Sequence, residues 1–123
     1  MSNDSPAAVV SEMVRYFNAH DLDSLYGLMA DNYRQYINGA LVAEGPEGAR
    51  LADAAGFDRF ADYSRETVLL FGEGEQVALE WRLLGTTKGG TPVEMPAVSL
   101  LRVVGGRIAE AKIFFDPAAA GRS

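Results

Sequence analysis

Two pairs of polar residues, each with its members two positions apart, offer acid–base chemistry in this sequence. Glu80 and Arg82 fall on one face of a strand, because side chains along a strand alternate with a period of two. Val77, Leu79, Trp81 and Leu83 then line the opposite face. A carboxylate fixed by a guanidinium in an apolar cavity can take a proton from a hydroxyl or a carbon acid. If the apolar face is the interior one, the same two residues are solvated surface charges that contribute little. The second pair, Tyr36 and Asn38, also shares a strand face and could orient substrate or water through hydrogen bonds. Asn38 stands before Gly39, so an ordinary turn competes with that role.

Other candidates offer less. His20 has an unperturbed pKa near neutrality, but it sits beside Asp21 in a turn between helices, where exposure is expected. Ser99 has no histidine partner to activate it and reads as a hydrogen-bonding pocket residue rather than a nucleophile. Asp116, just before Pro117, is either an acid at the cavity or a cap that ends a strand. Met13, Phe17, Met95 and Ile113 read as pocket walls, with ordinary core as the alternative. Cysteine is absent, which excludes disulfides, thiolate nucleophiles and zinc–thiolate sites. A single histidine, His20, leaves no histidine cluster for a transition metal.

The elements that must position these residues follow from spacing and punctuation. Ser5-Pro6 opens a helix whose stripe is Val9, Val10, Met13, Val14 and Phe17. Asp21 caps a second, short helix burying Leu22, Leu25, Leu28 and Met29, and Asp31-Asn32 breaks it. Tyr33 to Ile37 is a strand; Gly45-Pro46-Glu47 restarts a thin, alanine-rich helix through about Ala55. Four strands follow: Asp62 to Phe71, Val77 to Leu84, Val93 to Val104 and Ile108 to Phe115, the last two joined by a tight Gly105-Gly106 hairpin. Short loops imply an antiparallel meander, and a curved sheet with helices on one face gives an α+β domain with a cavity between its layers. The tail Pro117 to Ser123 is expected to fray.

The chain has 123 residues, enough for a single domain spanning 1–123 with its core at about 6–116. Eleven Lys and Arg against 17 Asp and Glu give a net charge of -6, which argues against nucleic acid and anionic membrane surfaces as partners. No apolar run is long enough for a membrane helix, and the first residues do not resemble a signal peptide, so a cytoplasmic protein is expected.

Three stretches together resemble the SnoaL-like branch of the nuclear transport factor 2-like superfamily, which includes ketosteroid isomerases and limonene-epoxide hydrolases. They are Asn18-Ala19-His20-Asp21-Leu22-Asp23, Gly105-Gly106-Arg107-Ile108-Ala109-Glu110 and Phe114-Phe115-Asp116. The resemblance runs from about Val9 to Asp116 and implies a cone-shaped α+β fold around a pocket. The ketosteroid isomerase acids and tyrosine fall near Ile37, Ser99 and Met13, so that proton shuttle is not expected. The epoxide hydrolase match is partial: Tyr36 and Asn38 resemble its water-holding pair. Glu80 and Arg82 resemble its central-strand pair in reversed order, and its last-strand aspartate falls near Ile113. The resemblance implies an enzyme of cofactor-free acid–base chemistry (cyclisation, isomerisation or epoxide opening) on a hydrophobic polyketide-, terpenoid- or steroid-like molecule. In that reading Glu80 takes the proton and Arg82 fixes it, while Tyr36 and Asn38 orient substrate or water. The alternative is a non-catalytic binding or dimerisation module. Both imply a homodimer, because the outer sheet face is too apolar to leave wet.

Overall fold

The computed structural model describes residues 5–116, so the expected fraying of the tail from Pro117 lies outside the described residues. Helix α1 (Pro6–Asn18) starts where the sequence places it. The Ser5 hydroxyl accepts from the Ala8 N–H at 3.2 Å, and Pro6 occupies a first-turn position that needs no donor. Its stripe of Val9, Val10, Met13, Val14 and Phe17 is buried. His20 then takes a positive φ of 55°, turning the chain into α2 (Leu22–Gly27), which Asp21 caps through the Ser24 N–H.

Strand β1 (Met29–Ile37) begins earlier than the sequence suggests. Leu28 is the C-cap of α2, and Met29 is buried as the first strand residue rather than as the end of the helix. A short strand, β2 (Ala40–Glu44), was not expected, because four of its five residues are exposed and show no alternation. Helix α3 (Gly45–Arg59) runs past Ala55, and β3 (Phe60–Glu73), β4 (Gln76–Thr87), β5 (Pro92–Val104) and β6 (Arg107–Phe114) complete the order. The Gly105-Gly106 turn has φ values of 60° and 80°, a conformation open to glycine without steric cost.

The six strands form one sheet in the order β2-β1-β6-β5-β4-β3. β3 to β6 make the antiparallel meander, and β1 lies parallel to β6, so the first strand joins the sheet beside the last. The inner face is set by β4: Val77, Leu79, Trp81 and Leu83 are 2%, 0%, 2% and 6% exposed. Met95, Ala97, Leu101, Ile108, Ala111 and Ile113 extend the same buried face across β5 and β6, and α1 packs against it. Among the described residues no helix is long and apolar enough to cross a membrane.

This face assignment makes a sharp contrast between neighbours. Leu79→Ala should cost about 2–5 kcal/mol, and Glu80→Ala should stay within about 0.5 kcal/mol of the parent. Urea unfolding of both variants checks it, and a comparable loss for Glu80→Ala would contradict the assignment.

Candidate functional site

Helix α3 covers the sheet with small residues. Ala49 is its one buried residue among those described, and Ala52, Ala55 and Gly56 border open space instead of filling it. Gly56 approaches the sheet closely: a Cβ there would stand 2.7 Å from Tyr63 Cε2. The result is a cavity of about 390 Å³ between α3 and the strands, walled mainly by Ile37, Phe60, Leu83, Val93, Met95 and Ile113. A deeper extension of about 20 Å³ reaches Met13, Phe17, Ser99 and Leu101. Two larger grooves, of about 440 and 560 Å³, are bordered by His20 and Tyr63 but lie more open to solvent. The enclosed cavity is the better candidate, because ionisable groups converge on it from an apolar surround.

Those groups are Asp53 and Arg59 from α3 and Arg65 from β3; Asp53 and Arg65 reach both the main cavity and its deep end, whereas Arg59 borders the main cavity alone. The Arg65 guanidinium lies over two aromatic rings, with Cζ 3.9 Å from the Phe17 ring centroid and 4.6 Å from that of Trp81. Such stacking favours a desolvated cation. Trp81 is itself fixed, since its Nε1–H donates to Ser99 Oγ at 2.9 Å. Among the described residues, Arg65 Nε is the only buried side-chain nitrogen or oxygen without a hydrogen-bond partner. A buried donor left in that state costs about 1–3 kcal/mol.

Asp53 is oriented from behind. Tyr26 O–H donates to its Oδ2 at 2.6 Å, and Arg50 stacks over the Tyr26 ring at 4.9 Å while pairing with Asp23 and Glu47. Burial, reinforced by the bond to Asp53, pushes the Tyr26 phenol well above its ordinary pKa. Tyr33 O–H donates to Gln35 Oε1 at 2.8 Å at the deep end, and burial raises its phenol too, with the Asp53 charge adding to the shift.

The four residues expected to carry catalysis do not meet at this cavity. Glu80 is exposed, and Arg82 pairs across the strands with Glu66 at 3.2 Å and Glu94 at 2.9 Å, both on the outer sheet face. The reason is alternation: with Leu79, Trp81 and Leu83 committed to the core, Glu80 and Arg82 must point the other way. Tyr36 follows the buried Gln35 and registers opposite the exposed Lys112, so it too faces outward. Asn38 is a turn residue at φ 50°, whose Oδ1 accepts from the Phe115 N–H at 3.1 Å. The competing turn reading of Asn38 therefore describes its place.

Of the expected pocket residues, Met95 and Ile113 border the main cavity, while Met13, Phe17 and Ser99 border the deep end. Asp116 is exposed beyond the end of β6. The sequence reading missed Asp53, Arg65, Gln35 and Tyr26. Asp53 is the lone acid in an alanine-rich stretch of α3, and Arg65 alternates with Tyr63 on an otherwise interior face. Both were readable signals. A bulge between Thr67 and Leu69 shifts the β3 register and blurred the second one.

The family model of the SnoaL-like domain matches residues 10–111. The chain belongs to that family, within the nuclear transport factor 2-like superfamily. Solved structures agree on the fold. A nuclear transport factor 2-like protein of unknown function from Burkholderia pseudomallei is 19% identical, with 98% of this chain and 95% of that one covered and a TM-score of 0.85. A candidate SnoaL-like polyketide cyclase from Jannaschia sp. CCS1 is 23% identical over 98% and 94%, with a TM-score of 0.78. AclR, a candidate hydroxylase from Streptomyces galilaeus, is 22% identical over 94% and 91%, with a TM-score of 0.83. No curated protein matches the chain.

The buried tyrosine at the deep end makes stability depend on alkaline pH. Its folded pKa is raised above the ordinary value of about 10, so above pH 10 the unfolded chain ionises Tyr33 while the fold holds its proton. Stability then falls as pH rises, by at most about 1.4 kcal/mol per pH unit from this residue. Tyr33→Phe should flatten that alkaline limb in urea unfolding; an unchanged slope would contradict the burial of the phenol.

Proposed function

We propose that this SnoaL-like protein is an enzyme of cofactor-free acid–base chemistry on a hydrophobic small molecule. The reaction would be a cyclisation or an isomerisation, or an epoxide opening. The observation that carries the proposal is an opposite pair of charges, Asp53 and Arg65, lining one largely apolar cavity that Arg59 also borders. Tyr26 occupies Asp53 Oδ2, which leaves Oδ1 to accept a proton from a carbon beside a carbonyl, or from an attacking hydroxyl. The oxygen that gains negative charge is stabilised by Arg65, whose cation is already in place before reaction. The protonated Asp53 then returns its proton to the product. The likeness to a candidate polyketide cyclase supports a polyketide-like substrate, and the apolar walls suit terpenoid or steroid-like rings too.

A non-catalytic binder of the same ligands is the second reading. It is favoured by the outward placement of Glu80, Arg82 and Tyr36, which leaves one carboxylate among the residues bordering the cavity. Substrate screening by thermal shift, followed by turnover of the hits, separates the two. Asp53→Asn should lower turnover by about 10²–10⁴-fold while ligand binding persists. Unchanged turnover would leave the binding module as the better account.

The same proposal includes a homodimer through the outer sheet face. Leu69, Phe71, Val98, Leu100 and Phe114 are each 40% or more exposed, and strand register sets them in two adjacent rows. Neighbouring positions carry both signs, in the Glu66–Arg82–Glu94 cluster and in Lys112 with Glu110, so a second copy meets no one-signed field. Light scattering should give a dimer mass for the parent and a monomer mass for Leu100→Glu. A monomeric parent would remove this part of the proposal.

A further inference from the structure

The interior polar groups divide into those satisfied by the protein and those left over. Trp81 Nε1–H is taken up by Ser99, Tyr33 O–H by Gln35, and Tyr26 O–H by Asp53. Arg65 stands apart. The ion pairs of the described residues lie among partly exposed side chains and leave it out, and its Nε has no acceptor. The Nε itself is out of a ligand's reach, but Arg65 borders the cavity, where an anion would complement its charge.

The direction of approach is restricted as well. Phe17 at 3.9 Å and Trp81 at 4.6 Å occupy space around the guanidinium that a ligand cannot enter. The N–H groups of a guanidinium project in parallel and in one plane. That arrangement matches a flat anion with two oxygens side by side. Nearby groups add donors rather than acceptors. Gln35 Oε1 is occupied by Tyr33, so Gln35 has its amide N–H to offer; Ser99 Oγ already accepts from Trp81, so its own proton is free to donate. Both residues border the deep end with Arg65. Away from it the walls are mainly apolar, with Leu83, Val93, Met95, Phe60 and Phe115, and Arg59 adds a second cation at the main cavity. The volume of about 390 Å³ is toward the small end of ligand pockets, which suits a compact body such as two fused rings.

The geometry points to a planar two-oxygen anion on a small flat apolar body as the ligand class of this cavity, held by the Arg65 guanidinium with help from Gln35 and Ser99. A carboxylate and the enolate of an acidic cyclic dicarbonyl share that chemistry. The inference rests on the cavity being the binding site, but not on Asp53 acting as a base.

The test uses three probes of similar size on the intact protein: naphthalene carboxylate, its neutral carboxamide, and the enolate of an acidic cyclic dicarbonyl. Trp81, the single tryptophan of the chain, reports binding by fluorescence, with calorimetry as a check. The carboxylate should bind about tenfold or more tighter than the carboxamide. Arg65→Met should remove most of that preference by weakening the carboxylate far more than the carboxamide, and Asp53→Asn should leave carboxylate affinity equal or tighter. Comparison of the carboxylate with the enolate identifies the source of the anion. Equal affinity of carboxylate and carboxamide for the parent overturns the anion class, and this measurement needs no variant to fold. Saturable binding by none of the three overturns the cavity as the binding site along with it. Anion preference together with unchanged turnover in Asp53→Asn would instead sink the catalytic reading alone.

Discussion

Protein interiors pack to crystal-like density, and the layer between α3 and the sheet departs from that rule for a physical reason. The helix brings Ala52, Ala55 and Gly56 to a place where larger side chains would interdigitate with Trp81, Leu83 and Met95. The unfilled space forfeits dispersion contacts on its lining, so the rest of the structure must hold it open. The sheet does so through its meander, and α1 does so by anchoring Phe17 against Phe57 and Tyr63 at ring distances of 5.2 and 5.1 Å. Every feature of the site depends on that gap between a thin helix and a well-packed sheet.

Within the gap, charge is tolerated because it is surrounded by matched groups. The Arg65 cation has two aromatic faces in place of water, and Trp81 is held in position for this by Ser99. Asp53 is held by Tyr26, whose phenol stays protonated through burial and can therefore always donate. Outside, the same sheet carries Arg82 between Glu66 and Glu94, in a setting where water screens the charges and little stability is gained. Two half-buried arginines on neighbouring strands thus differ in their surroundings, one beside aromatic rings with a buried, unpartnered Nε, the other paired with two carboxylates.

Much of the fold was legible before any coordinates. The Ser5-Pro6 start, the Asp21 cap, the Gly105-Gly106 hairpin and the run of alternating strands all appear where local chemistry places them. Short-range rules succeed there because caps and turns satisfy backbone groups within a few residues. β2 was missed because an edge strand with exposed side chains carries no apolar alternation to read. The site was read less well. Glu80 and Arg82 drew attention as a charged pair, but a period of two specifies only that they share a face, and the deciding residue was Trp81, whose size demanded the interior.

The sequence by itself determined the α+β class, the element order apart from β2 and the apolar face of β4, because each follows from local periodicity and punctuation. It also supplied the thin, alanine-rich α3 without which no cavity would exist. Only the tertiary structure decided which charges enter that cavity. Asp53 and Arg65 are 12 positions apart on different elements, and their convergence depends on the crossing of α3 over the sheet and on a bulge in β3. No short-range pattern encodes such a crossing, since it is fixed by how whole layers pack.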